Sequence, residues 1–330
     1  INASRHNVYV SGDLPSHSID SSNLVDGKPV YYLVNIKNEV INPSTYPQVG
    51  YLALIECINI TVEGLTLTNN QQGLLISNTN NSRVLGNNIT NNCYGVLLEH
   101  SSNTIISGNN ITNNKDGGGI DLDESSNNSV TENFIAKNRH GIFVGKSSNN
   151  NISGNNITAN NEYGIKLYES SSNTIYGNNI TNNTGYGVEL DSSSNNNSIS
   201  ENNITNNNYS GIYLSGSSDN SMVRNNITNN SYGIGLSSTS NNNFHHNNFI
   251  NNTQQVYFYY SSYPNAWDDG YPSGGNYWSD YTGADLYSDG IGDTPYVIDE
   301  NNTDRYPLMN PWTPPEHELV TSISAPPSLW

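Results

Sequence analysis

The stretch G-I-K-L-Y-E-S-S-S-N-T-I-Y-G-N-N-I-T-N-N, Gly164 to Asn183, decides the fold, because the chain says nearly the same thing eight times. The units open at Gly73, Gly95, Gly119, Gly141, Gly164, Gly187, Gly211 and Gly233, a step of 22 to 24 residues. Self-similarity at that period marks a solenoid. Four apolar columns recur inside the unit. In the quoted stretch they are Ile165, Leu167, Ile175 and Ile180, and in the preceding unit Ile142, Val144, Ile152 and Ile157. The spacing of two between the first pair is strand periodicity, in which alternate side chains face opposite ways. Each unit therefore supplies three short strands separated by Asn/Ser/Gly corners, one coil of a parallel β-helix with the four columns stacked as its core.

Two rival readings fail on residue type. A leucine-rich repeat needs several leucines and a helical half, whereas Asn, Ser and Ile dominate here and form helices poorly or indifferently. An antiparallel meander favours Asn-Gly turns, and a chain with 62 Asn and 28 Gly contains no Asn-Gly pair. The expectation is an all-β, right-handed parallel β-helix of about nine coils.

Outward from the repeat, residues 1–50 lack the pattern and read as an N-terminal cap over the open first coil. Residues 51–260 form the helix, 261–312 a Gly/Asp/Tyr-rich C-terminal cap, and 313–330 an extended tail flanked by Pro314-Pro315 and Pro326-Pro327. A capped solenoid needs no division into globular domains, because each coil rests on its neighbours. Lys and Arg total 11 against 29 Asp and Glu, a formal charge of −18. That balance excludes a nucleic-acid partner, which needs a basic face. No segment approaches the length of a membrane-spanning helix. The chain opens on Ile1 with no signal segment, the pattern expected of a processed, secreted form. Cys57 and Cys93 fall on different corners more than one coil apart, too far for a disulfide.

Candidate sites follow from the strand after each glycine. Its outward positions carry Asp121 and Asp123, Lys166 and Tyr168, Glu189 and Asp191, and Tyr213, whereas the other two faces carry Asn, Ser and Thr. Two carboxylates on one strand lie roughly 7 Å apart, within the range used by glycosidases, and tyrosines on a flat sheet suit a sugar chain. The alternative is a solvated face that keeps an acidic protein in solution. With no tight cluster of Arg or Lys beside the carboxylates, no lyase or hydrolase turnover is expected and no catalytic residue is assigned.

Asn88, Asn110, Asn156, Asn179, Asn203 and Asn226 each open an N-I-T sequon, an N-glycosylation acceptor pattern. Coils only ~4.8 Å apart leave room for glycans on a subset at most. Stacked asparagines also hydrogen-bond along a ladder, a role that needs no sugar. In the C-terminal segment Asp285, Asp289 and Asp293, at four-residue spacing beside Gly290 and Gly292, are candidate Ca²⁺ ligands, although the spacing is not that of an EF-hand. Asp-capped turns in a plain cap are the competing reading.

The chain resembles the NosD-like right-handed β-helix family, in particular its archaeal cell-surface branch. The resemblance rests on V-D-G-K-P-V-Y-Y-L-V-N (25–35), N-I-T-V-E-G-L-T-L-T-N-N-Q-Q-G-L-L-I (59–76), the N-N-I-T coils, G-N-Y-W-S-D-Y, D-G-I-G-D-T-P-Y and Y-P-L-M, and it spans residues 19–312. It implies a secreted β-helix associated with carbohydrate, and it carries over no catalytic residue. The namesake branch serves copper-enzyme maturation, a role for which seven scattered His, two Met and two Cys offer little. Three functions follow as expectations. The first is a glycosylated, self-assembling structural protein of an archaeal cell envelope, a surface-layer, sheath or filament subunit whose tail adds a strand to a neighbour. The second is an extracellular carbohydrate-binding or carbohydrate-cleaving protein, and the third a copper accessory.

Overall fold

The computed structural model describes residues 8, 10–12, 14–260 and 263–314. Stacked coils build three long parallel sheets. The front sheet has twelve strands, of which the first, Leu24–Val25, pairs antiparallel, and the second and third have ten each, about ten turns of a right-handed parallel β-helix. The register is constant: Ile142, Ile165, Val188, Ile212 and Ile234 are successive partners in the front sheet. All four apolar columns point inward and are buried, from Val84 and Ile89 to Phe244 and Phe249.

The polar repeat residues explain themselves inside the same coil. In G-N-N-I-T the first Asn points inward and the second outward. The inward residues form a ladder from Asn87 through Asn109, Asn133, Asn155, Asn178, Asn202 and Asn225 to Asn247, each side-chain oxygen accepting the backbone N–H one rung earlier at 2.8–3.1 Å. A second ladder runs Asn92, Asn114, Asn138, Asn160, Asn183, Asn207, Asn230, and a third runs Asn128, Asn150, Asn173, Asn197, Asn220. At the corners the strands stop and their N–H groups would otherwise go unpaired, at a cost of about 1–3 kcal/mol each. Other asparagines, such as Asn103, Asn127 and Asn149, take the left-handed turn itself with φ of 55–61°, which Asn tolerates better than most residues. At Gly141 an added Cβ would collide with the Gly164 carbonyl and the Ile157 side chain, so the close rung-to-rung approach demands glycine.

Both ends depart from the sequence expectation. Lys28–Val34 pairs in parallel with Tyr51–Ile55, and Val40–Ile41 with Thr61–Glu63. Residues 28–41 therefore form the first coil and not cap, although they lack the G-N-N-I-T signature. The segment before them lies against the outer face of the front sheet, where Val10, Leu14, Val25, Tyr32, Tyr51, Ala53 and Ile55 form a separate apolar cluster. Its backbone is held there by the Gln71 amide, which donates to the Val8 carbonyl.

At the other end, Tyr277–Trp278 adds one more rung to the third sheet. Trp267 stacks on Phe244 and Trp278 on Phe249, with ring centroids 4.3 and 4.4 Å apart, so aromatic rings close two core columns. The first Asn ladder continues through Asn276 and ends on Asp304, whose carboxylate accepts the Asn276 amide at 2.7 Å, the Trp278 indole N–H at 2.8 Å and the Tyr306 amide at 3.1 Å. Arg305 in turn grips Asp268 with two nitrogens. Cys57 and Cys93 are free thiols, both buried.

Candidate functional site

The outward residues of the front sheet fall into two regions. Near the first region the N-terminal segment forms a wall. Val10, Gln72, Tyr94, Leu97, Glu99, Asp121, Asp123 and Phe143 line a cleft of about 310 Å³. Here His140 Nε2 lies 3.1 Å from Asp121 Oδ1, and both side chains are largely covered. The approach depends on Gly118, the register partner of His140, because a Cβ there would overlap both groups. Glu99 and Asp123 are partners on adjacent rungs. Burial, and then the charge of a neighbouring carboxylate, Asp123 for Glu99 and Glu124 for Asp123, hold both above the ordinary carboxylate range.

In the second region Lys166 and Glu189 are partners one rung apart. The Lys166 ammonium sits 3.0 Å from Glu189 Oε1 and 3.4 Å from Asp191 Oδ2, and 4.9 Å above the ring of Tyr163. Burial opposes the Lys166 charge, but Glu189 and Asp191 more than offset it and its pKa lies above the usual lysine value. Burial raises the Glu189 pKa against the pull of Lys166, and its Oε2 is enclosed without a hydrogen-bond partner. Around this group runs a tyrosine platform. Tyr163 stacks with Tyr186 (6.2 Å, 5° between planes), Tyr186 with Tyr213 (4.6 Å), Tyr213 meets Tyr259 edge-on (5.1 Å), and Tyr232 stacks with Tyr257 (4.4 Å).

The structure thus joins Lys166, Glu189, Asp191 and Tyr213, and separately places Asp121 and Asp123 in the cleft. Asp121 and Glu189 are three rungs apart along the sheet, about 14 Å. Tyr168 faces outward on the same strand as Lys166, half-buried. Sequence reasoning puts Glu99 in the outward column of this face without naming it a site residue, and it missed His140 and the platform tyrosines Tyr163 and Tyr186. A signal was present: the residue preceding the unit glycine is Tyr94, His140, Tyr163, Tyr186 and Tyr232 in five of the eight units.

The sequon asparagines line the outer face of the third sheet and form an exposed ladder: Asn110 donates to Asn88 (2.8 Å), Asn179 to Asn156 (3.1 Å), Asn203 to Asn179 (2.8 Å) and Asn226 to Asn203 (3.1 Å). In the C-terminal cap the three aspartates serve turns. Asp285 accepts the Asp289 and Gly290 amides, Asp289 the Ile291 amide and the Tyr271 hydroxyl, and Asp293 the Leu286 amide. Among the described residues no three His, Cys, Asp or Glu side chains converge as a metal site.

The chain is thus a parallel β-helix whose C-terminal end is closed by aromatic rings and whose front sheet carries Lys166, Glu189 and Asp191 beside stacked tyrosines. The chain belongs to the NosD family: the model for the periplasmic copper-binding protein NosD matches residues 16–199 and 160–283. No curated protein matches. Among solved structures the chain is similar to the periplasmic alginate epimerase AlgG (20% identity, TM-score 0.48, covering 67% of this chain and 55% of AlgG). It is also similar to the A-module of the Azotobacter vinelandii mannuronan C-5 epimerase AlgE4 (14%, 0.57, 71% and 78%) and to tailspike protein 2 of bacteriophage CBA120 (11%, 0.51, 69% and 47%). The chain spans about half the length of AlgG. Among the described residues no helix is long and apolar enough to cross a membrane.

For the copper implied by the family description, no group of three His, Cys, Asp or Glu donors converges among the described residues. Met222 is sealed in the core. Cys57 and Cys93 are buried at corners more than a coil apart. In the His245–His246 pair the two Nδ1 atoms are 2.9 Å apart and His246 Nε2 bonds to the Ser273 carbonyl, so the imidazoles serve each other and the cap.

Proposed function

We propose that this chain is an extracytoplasmic polysaccharide-binding β-helix, which takes a glycan along the coil axis on its front face between Tyr94 and Tyr259. The observation that carries the reading is the run of stacked tyrosines beside hydrogen-bonding carboxylates, confined to one of three faces. Sugar rings pack on aromatic faces while their hydroxyls need polar partners, and a long face whose rungs follow every ~4.8 Å suits an extended polymer better than a small molecule. The β-helix fold shared with AlgE4 and the tailspike is compatible with this use. Native electrophoresis through gels containing soluble polysaccharides tests it. The wild-type protein is retarded, and the double substitution Tyr186→Ala/Tyr213→Ala abolishes retardation while leaving the β-sheet circular dichroism intact. Equal mobility of wild type in all gels would remove the reading.

A structural role at an archaeal cell surface is the second reading, and regular faces on a rigid rod favour it. Its proposed connector, residues 313–330, lies outside the described residues from 315 onward, and the chain before it folds back, with Trp312 clamped by the Asn248 side chain. Deleting residues 315–330 and comparing sedimentation decides whether the tail joins subunits. Glycans on a subset of the sequons, and Ca²⁺ at Asp285, Asp289 and Asp293, belong to the same reading. Mass spectrometry of native protein and melting with a chelator address them.

A further inference from the structure

We infer that the front face is built for a glycan without anionic groups, an uncharged or amine-bearing chain, and that it rejects polyuronates. The inference rests on the glycan-binding reading above and names its substrate class. Between Gln72 and Phe258 the strands of this face carry five carboxylates, Glu99, Asp121, Asp123, Glu189 and Asp191, against one lysine and one histidine, with no arginine. Both cations on these strands are engaged, and Lys146 and His100, just past the strand ends, pull on Asp123. Lys166 is held by two carboxylates and a tyrosine ring, and His140 by Asp121.

A receptor for carboxylated sugars needs free cations or convergent N–H donors, since ionised carboxylates accept hydrogen bonds and donate none. This face offers the reverse. Its carboxylates are acceptors that call for donors, and Glu99, Asp121 and Asp123 line the open cleft. A sugar hydroxyl or amine supplies such donors, whereas a uronate brings a second set of acceptors and a like charge into a chain of net charge −18. Like-charge approach costs most where the groups are partly desolvated, as in the cleft at Glu99 and Asp123.

Titration calorimetry of the full chain at pH 7 and low salt provides the test, with two sets of hexasaccharides. One set is uncharged (cello-, manno-, xylo- and N-acetylchitohexaose), and the other consists of oligomannuronate and oligogalacturonate. At least one uncharged hexamer should bind, with both uronates at least tenfold weaker. The double substitution Glu189→Gln/Asp191→Asn frees Lys166 and should narrow that gap. Uronate binding equal to or tighter than every uncharged hexamer would overturn the inference while leaving glycan binding intact. Failure of all six to bind would overturn the inference together with the function it rests on.

Discussion

The outer faces of the third and front sheets rest on the same coils, yet one repeats and the other does not. On the third sheet the outward residue is Asn at 88, 110, 156, 179, 203 and 226, with Phe134 the one interruption between Asn110 and Asn156. On the front sheet the corresponding column reads Leu97, Asp121, Phe143, Lys166, Glu189, Tyr213 and Gly235. Both columns satisfy the same backbone, so the fold does not require the identity of either. An asparagine ladder gains from each neighbour being asparagine too, whereas a row of differing side chains gains nothing from repetition and can be shaped for a partner. The difference separates what the coil needs from what a surface does.

The two faces share one interior, and breaking it should erase the contrast. Ile165→Asp beneath the front face and Ile180→Asp beneath the third should both unfold the stack. A buried, unpaired carboxylate costs about 5 kcal/mol or more; loss of the cooperative transition in urea for both variants is the expected result.

The next effect concerns the end of the ladder that the third face covers. Burial, opposed by three donors, pushes the Asp304 carboxyl up to about 6. The folded state thus holds this proton more tightly than the unfolded chain, whose value is near 3.8. Its contribution to stability is greatest below about pH 4, falls as pH rises to 6, and is level above, a change of roughly 3 kcal/mol. Urea unfolding at a series of pH values should show this component in wild type and not in Asp304→Asn.

Neighbours in the chain sharpen the comparison further. Asn178→Ala, in the buried ladder, should cost about 2–3 kcal/mol, because it strands the Asn155 amide. Asn179→Ala, one residue on and facing solvent, should cost about 0.5 kcal/mol. Equal losses would mean that the exposed ladder bears load. The smallest effect belongs to the front face: Tyr168→Thr should change stability by less than about 0.5 kcal/mol, read as an unchanged melting temperature.

The first-coil boundary shows where reading a sequence alone goes astray. Residues 28–41 lack the repeat because their rung has no preceding coil to match, and pairing partners, not composition, make them a coil. Nor does spacing alone show that each of the cap aspartates Asp285, Asp289 and Asp293 accepts an amide of a nearby turn.

The sequence by itself determined the solenoid, the strand spacing, all four core columns and the outward position of the charged residues. A period of 22 to 24 residues and alternation of two are local facts that every coil restates. It did not assign the first Asn of each G-N-N-I-T to the interior, because an amide becomes a core residue only when the next rung supplies the N–H it accepts. Nor did it bring Lys166 to Glu189 and Asp191, His140 to Asp121, or Tyr186 to Tyr213. Those pairs are 19 to 27 residues apart in the chain and meet only because parallel stacking sets rung on rung at a fixed register. Contacts of that kind belong to the tertiary structure, since they depend on how many residues each corner consumes, and the corners vary from coil to coil.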